Sequence, residues 1–249
     1  MDSGNRLKRQ GRAAGLAFAL LTAVLTTTAT TASAGFSKVG ESVKGRPIVA
    51  KVLGETNAPF KVLVVGAIHG DETQGVRVVK RLRKYDLNGA KGVALWTVRT
   101  TNPDGVARGT RKNARGVDLN RNFPYRFDPD LGGGYNSGPG PASEPETRAV
   151  MRLAQRVDFD LAIWYHQPWG RTLAPCNKDR RWATSYARLS GLGLGGGCDR
   201  TVYPGSAVSW QHHAFGTAAF VVEFSAGVQP RGTIKRHARA VVRLAKRMT

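Results

Sequence analysis

The sequence predicts an α/β domain with a mixed, mainly parallel central sheet flanked by helices. Short β-branched or aromatic runs alternate along the chain with longer amphipathic stretches, as strands do when they reach parallel neighbours through crossover helices. The run Val62-Leu63-Val64-Val65 is apolar throughout, as expected of a strand buried on both sides. The 249 residues are 41% hydrophobic, enough for one sizeable core.

The chain opens outside that core. Arg6, Lys8, Arg9 and Arg12 precede an apolar stretch over residues 13–25, then a Thr-rich run and Ala32-Ser33-Ala34. Basic, apolar, then small-x-small is the pattern of a secretory signal peptide, so residues 1–34 are assigned to one, with cleavage after Ala34 and a catalytic domain over 35–249. The apolar stretch is shorter than the ~20 residues that span a bilayer, and no transmembrane helix is expected in the mature protein. A secreted, periplasmic or wall-associated monomer is expected. Too few residues separate Gly35 from the strand at Lys61 for an inhibitory prodomain of ordinary size.

Strands are predicted over residues 48–53, 62–68, 93–98, 161–166 and 218–224, and helices over 73–85, 143–157, 180–189 and 233–248. Ser143 followed by Glu146 reads as a capping box, with Pro145 tolerated in the first turn. Residues 102–141 are rich in Gly, Pro, Asn and Arg without clear periodicity, and a loop of that length in a compact domain is usually functional. Cys176 and Cys198 are the only cysteines. In an exported chain an even count suggests one disulfide, here across a glycine-rich loop.

The formal charge is +21, and removing residues 1–34 takes away four basic residues and one acid to leave +18. Such a field attracts polyanions: nucleic acid, anionic lipid or anionic wall polymer. No zinc finger, RNA-binding signature or basic helix with heptads is present, so nucleic acid is not an expected partner. The basic C-terminal stretch reads as an amphipathic helix with a solvated face.

Gly66-Ala-Ile-His-Gly-Asp-Glu72 follows the buried run, placing His69 and Glu72 three residues apart at the carboxyl end of a strand. An imidazole and a carboxylate at that spacing can close on one small cation, and a catalytic zinc usually takes three protein ligands with a fourth position for water. His166 closes the strand Leu161-Ala-Ile-Trp-Tyr-His166, and Glu223 is the one acid in Ala218-Ala-Phe-Val-Val-Glu-Phe224. Ligands of open α/β sheets bind beyond the carboxyl ends of the strands, where these residues can converge. Read singly, each has a plain alternative: His69 and Glu72 as helix caps, His166 as a core histidine, Glu223 as half of an ion pair.

His-x-x-Glu, Asn102-Pro-Asp-Gly105, Arg111-Lys-Asn113, Asp118-Leu-Asn-Arg-Asn-Phe123, a strand-end His and a late strand Glu, in this order, resemble the zinc metallocarboxypeptidase family over residues 61–227. The run through Asn102 to Pro124, with Ser137-Gly-Pro139 before Ser143-Glu-Pro-Glu-Thr147, is similar to the family's bacterial murein-peptide amidases, which cut the γ-D-glutamyl–diaminopimelate bond. The resemblance implies one zinc on His69, Glu72 and His166, at the carboxyl ends of the strands. It implies Glu223 as general base, Arg111 as oxyanion donor, and Asn120 and Arg121 as the grip on a substrate carboxylate. Tyr203 stands where the family has a mobile phenol. Arg108 and Arg115 compete with Arg111, which has the family's local pattern. His212 and His213 match no motif, and Asp104 and Asp118 read as braces for turns or nearby arginines.

The implied substrate is a peptide with a free carboxylate, of the cell-wall kind, cleaved at the amide bond nearby. Side-chain preference cannot be carried over, because the stretch from Tyr203 to Trp210 is trimmed. The alternatives are an ordinary protein carboxypeptidase, a small-molecule deacylase with the same zinc core, and a non-catalytic cationic wall- or nucleic-acid-binding protein.

Overall fold

The structure, a computed structural model, describes residues 35–87, 91–175, 177, 179–195 and 203–248. The expected signal peptide and both cysteines of the expected disulfide lie outside the described residues. Strands β1 (Phe36–Glu41), β2 (Pro47–Gly54), β3 (Phe60–Val65), β4 (Val93–Val98), β5 (Leu161–His166), β6 (Trp169–Leu173) and β7 (Ala218–Ser225) form one sheet in the order β1-β2-β4-β3-β5-β7-β6. The inner strands β4, β3, β5 and β7 are parallel, while β1, β2 and β6 join antiparallel. The helices are α1 (Gln74–Leu82), α2 (Pro103–Arg108), α3 (Pro145–Val157), α4 (Arg180–Ser190), α5 (Ala207–Phe215) and α6 (Arg231–Ala245), with a 3-10 turn over Leu119–Arg121. No helix among the described residues is long and apolar enough to cross a membrane.

Side chains alternate across a strand with period two, and here both faces are buried. Val62 and Val64 of β3, with Leu161, Ile163 and Tyr165 of β5, pack against Val78 and Leu82 of α1, Tyr186 of α4 and Val241 of α6. Leu63, Val65, Ala162 and Trp164 face the other way, onto Val150 and Leu153 of α3 and Trp210 of α5. Burying each large aliphatic side chain contributes roughly 1.5–3 kcal/mol, and the two faces together hold the sheet in one register. Because the inner strands run parallel, their carboxyl ends share one edge. His69 follows β3, His166 ends β5 and Glu223 lies near the end of β7.

Several expectations need correction. β1 and β6 were not foreseen: both are antiparallel edge strands, half exposed, with no apolar run. Strand β3 stops at Val65 rather than residue 68, because the chain turns at Gly66 while its N–H still reaches Val98 O. Ser143 does not cap α3. The N-cap is Glu144, without a side-chain capping bond, and Glu146 Oε1 instead accepts the Val43 N–H at 3.0 Å. Inside the long loop stands α2, capped by Asn102 Oδ1 on the Gly105 N–H, and the stretch after Tyr203 forms α5, capped by Ser206.

Candidate metal and active site

The turn between β3 and α1 is set by close backbone packing. A Cβ on Gly70 would lie 2.0 Å from the Gly105 carbonyl carbon, so only glycine lets α2 sit against the turn that carries His69 and Glu72. The Asn102 amide donates to Arg111 O at 3.1 Å, and Gly70 N–H reaches the same carbonyl. The Asn-Pro-Asp-Gly motif therefore builds a helix and pins the backbone of Arg111.

His69, Glu72 and His166 meet in a largely buried cluster. His69 Nδ1 is 2.9 Å from Glu72 Oε1, and His166 Nδ1 is 2.8 Å from Glu72 Oε2. One ligating atom from each lies within 4.8 Å of the others, and the two rings stand edge to face. Burial alone would push the Glu72 carboxyl up, but hydrogen bonds and charge from His166 and His69 hold it well below the usual carboxylate range. Two imidazoles and one carboxylate converging in a buried pocket are the donor set of a catalytic zinc, and these residues fit that ion.

Around the cluster, His69 Nε2 is 3.0 Å from Asp118 Oδ1, and Arg111 bonds Asp118 Oδ2 through Nε at 2.9 Å and Glu72 Oε1 through Nη1 at 3.0 Å. Asp118 does more than brace an arginine as its sequence suggested: it also orients a histidine ring. The signal for this was weak, since nothing local in Asp118-Leu-Asn-Arg points back to His69. Of the competing arginines, Arg108 bonds the Asn113 carbonyl and Arg115 faces Glu144. Glu144 and Glu146 share the Asn113 amide and sit in a structural knot.

Asn120 and Arg121 come from the 3-10 turn that Asp118 caps. The Asn120 carboxamide oxygen accepts the Ala207 N–H at 3.0 Å, tying this turn to α5. Arg121 is buried, donates from Nη1 to Asn120 O at 2.7 Å, and lies 5.5 Å from the Tyr203 ring. Gly205 holds φ at +62°, and a Cβ there would lie 2.0 Å from Arg121 O. Another ring, Tyr135, lies 4.8 Å from the Arg121 guanidinium; sequence reasoning passed over it because it stands in a glycine-rich run without a motif. His212 and His213, which match no motif, are exposed and do not join the cluster.

Glu223 pairs in register with His166 across β7 and β5. Its carboxyl is pushed up to about 7, first by burial and then by the charge of Glu72, against a hydrogen bond from the Trp169 backbone. Glu223 Oε2 is buried and accepts no hydrogen bond from the described residues. A buried orphan acceptor beside a histidine–carboxylate cluster is a group suited to handling a proton from something bound there.

The zinc carboxypeptidase family profile matches residues 22–190, which include His69, Glu72 and His166 and end before Tyr203 and Glu223. The chain is 30% identical over 155 residues to murein peptide amidase A of Escherichia coli K12, covering 54% of this chain and 60% of that one. It is also 30% identical over 145 residues to carboxypeptidase SOL1 of Arabidopsis thaliana, covering 51% of this chain and 28% of that one. The matches thus span less than two thirds of either relative. Its backbone is similar to a crystal structure of the murein-tripeptide amidase of Escherichia coli O157, with a TM-score of 0.69 at 25% identity over 85% of this chain and 92% of that chain. With the matched profile covering well over half of its length, the chain belongs to the zinc carboxypeptidase family.

Proposed function

We propose that this protein is an exported zinc-dependent hydrolase that cleaves an amide bond beside a free carboxylate, and that its substrate is a peptidoglycan stem peptide cut at the γ-D-glutamyl–diaminopimelate bond. The observation that carries the reading is the convergence of His69, Glu72 and His166 with the unpartnered Oε2 of Glu223 at one edge of the sheet. The murein assignment is supported by the similarity to proteins named as murein peptide amidases. The charge of +18 left without residues 1–34 suits an anionic wall.

His69, Glu72 and His166 hold the metal, with Asp118 orienting the His69 ring through Nε2. Zinc, when bound, polarises the scissile carbonyl and brings the pKa of its water toward ~7. Glu223 Oε2 takes a proton from the attacking water and passes it to the leaving amine nitrogen, for which an acid with a pKa near neutrality is suited. Arg111, steadied by Glu72 and Asp118, donates to the developing oxyanion. Arg121 and Asn120 hold the substrate carboxylate, the arginine through paired N–H groups, and Tyr203 covers the bound substrate.

The test is mass spectrometry of products from zinc-loaded protein incubated with stem peptides and with unmodified linear peptides. Cleavage between D-glutamate and diaminopimelate is the expected result. Release of C-terminal residues from linear peptides alone would overturn the wall assignment, and no hydrolysis of either would overturn the hydrolase reading.

A further inference from the structure

Arg121 is only 8% exposed, yet among the described residues no carboxylate lies within ion-pair distance of its side chain, Asp118 acting on it only through its charge from further off. What surrounds it is aromatic. The Tyr203 ring lies 5.5 Å from its guanidinium carbon and the Tyr135 ring 4.8 Å, and the same Tyr135 ring lies 5.7 Å from the guanidinium carbon of Arg111. Tyr135 itself is 44% exposed, a large apolar ring left in solvent. An aromatic face carries negative quadrupole density and attracts a cation placed over it. Arg111 is already paired with Glu72 and Asp118, so the ring's attraction matters most for Arg121, which it steadies without neutralising it as a close carboxylate would.

The chain holds Tyr135 in this place by local means. Gly133 and Gly134 both take positive φ, at 70° and 81°, in the turn leading into Tyr135. The following residue, Asn136, accepts the Asp118 N–H through its carbonyl at 2.8 Å and donates its side-chain amide to Gly116 O at 3.0 Å. The loop is thus fastened to the segment that carries Asp118, Asn120 and Arg121.

We propose that Tyr135 is a positioning residue and specificity determinant for the substrate's free carboxylate. With Tyr203 it fixes the Arg121 guanidinium in a partly desolvated pocket, while the N–H groups other than the one on Asn120 O remain for an incoming anion. A long, mobile side chain so held loses little freedom on binding, and preorganisation of this kind acts on affinity. An uncharged amide in the same place gains nothing from it. The inference rests on the proposed function, since it takes Arg121 as the carboxylate grip.

The experiment compares wild-type protein with Tyr135→Ala and Tyr135→Phe on the stem tripeptide L-Ala-γ-D-Glu-diaminopimelate and on the same peptide with its diaminopimelate carboxylates amidated. Tyr135→Ala should raise KM for the acid about five- to tenfold, with kcat within about twofold and the amidated peptide unaffected. Tyr135→Phe keeps the ring and should stay within about twofold of wild type on both. Calorimetric binding of the acid peptide to zinc-loaded Glu223→Gln protein should weaken by the same factor when Tyr135→Ala is added. Unchanged acid-to-amide discrimination in Tyr135→Ala, or a loss in Tyr135→Phe as large as in Tyr135→Ala, would overturn the proposal while leaving the hydrolase reading intact. A wild-type enzyme that does not prefer the acid would overturn the carboxylate grip itself, and this inference with it.

Discussion

Asp118 reaches His69 through one carboxylate oxygen, at 3.0 Å from Nε2, and gives its other oxygen to Arg111 at 2.9 Å. A single side chain thereby ties the orientation of an expected metal ligand to that of the expected oxyanion donor. With its Nε2 engaged by Asp118, His69 presents Nδ1 toward Glu72. Partners of this kind typically change metal affinity by 10- to 100-fold. Asp118→Asn should therefore weaken zinc binding by about that factor in a competition titration against a chelating dye. Equal affinity in the two proteins would reduce Asp118 to a turn cap.

Purified protein should carry one zinc per chain by elemental analysis. His69→Ala and His166→Ala should each lose it on dialysis, because two remaining donors cannot hold the ion in a site built for three. Chelation should abolish hydrolysis, and full activity in metal-free protein would reject the zinc centre.

Glu223→Gln preserves size and a hydrogen-bonding oxygen while removing the proton acceptor. Zinc content should stay at one per chain and turnover should fall by at least ~10². Normal turnover would move the base elsewhere, although Glu144 and Glu146 are already engaged with Asn113 in a structural knot.

A pH effect on stability is expected from the opposite face of the sheet. His237 of α6 is 1% exposed, with Nδ1 2.6 Å from the Tyr186 hydroxyl. Burial, with a smaller contribution from the charge of Arg236, pushes its pKa down to about 4. The folded pKa lies below the unfolded value of ~6.5, so protons bind preferentially to the unfolded chain. This contribution is fully present above pH ~6.5 and is lost as pH falls toward 4, amounting to about 3 kcal/mol. Urea titrations at pH 7 and pH 4 should show that loss in wild type and a smaller one in His237→Asn. Equal losses would mean that other groups dominate.

How much the sequence revealed follows from how each element is stabilised. The inner strands are buried on both faces and announce themselves as apolar runs, so residues 93–98 and 161–166 are predicted with the bounds observed for β4 and β5. Edge strand β1 pairs with the adjacent β2 and β6 with the distant β7, but their half-exposed, mixed residues carry no apolar run to mark either. The same distinction runs through the site. His69 and Glu72 share one turn, His166 ends β5 and Glu223 lies near the end of β7, so each has a local signature. Tyr135 gains its contacts only when the long loop folds back on itself, and Asp118 when that loop closes onto the turn bearing His69; the spacing of the residues encodes neither.

Gly205 leaves a practical constraint. Its N–H bonds Tyr125 O, its carbonyl takes the Phe123 N–H, and its missing side chain lets the Arg121 backbone touch it. The segments bearing Arg121 and Tyr203 are consequently riveted together and would move as one body. Substitution has little room there, since each added atom at residue 205 would push the arginine out of place. The exposed glycines at 132–134 offer no freer route, because their turn sets the Tyr135 ring against the same arginine.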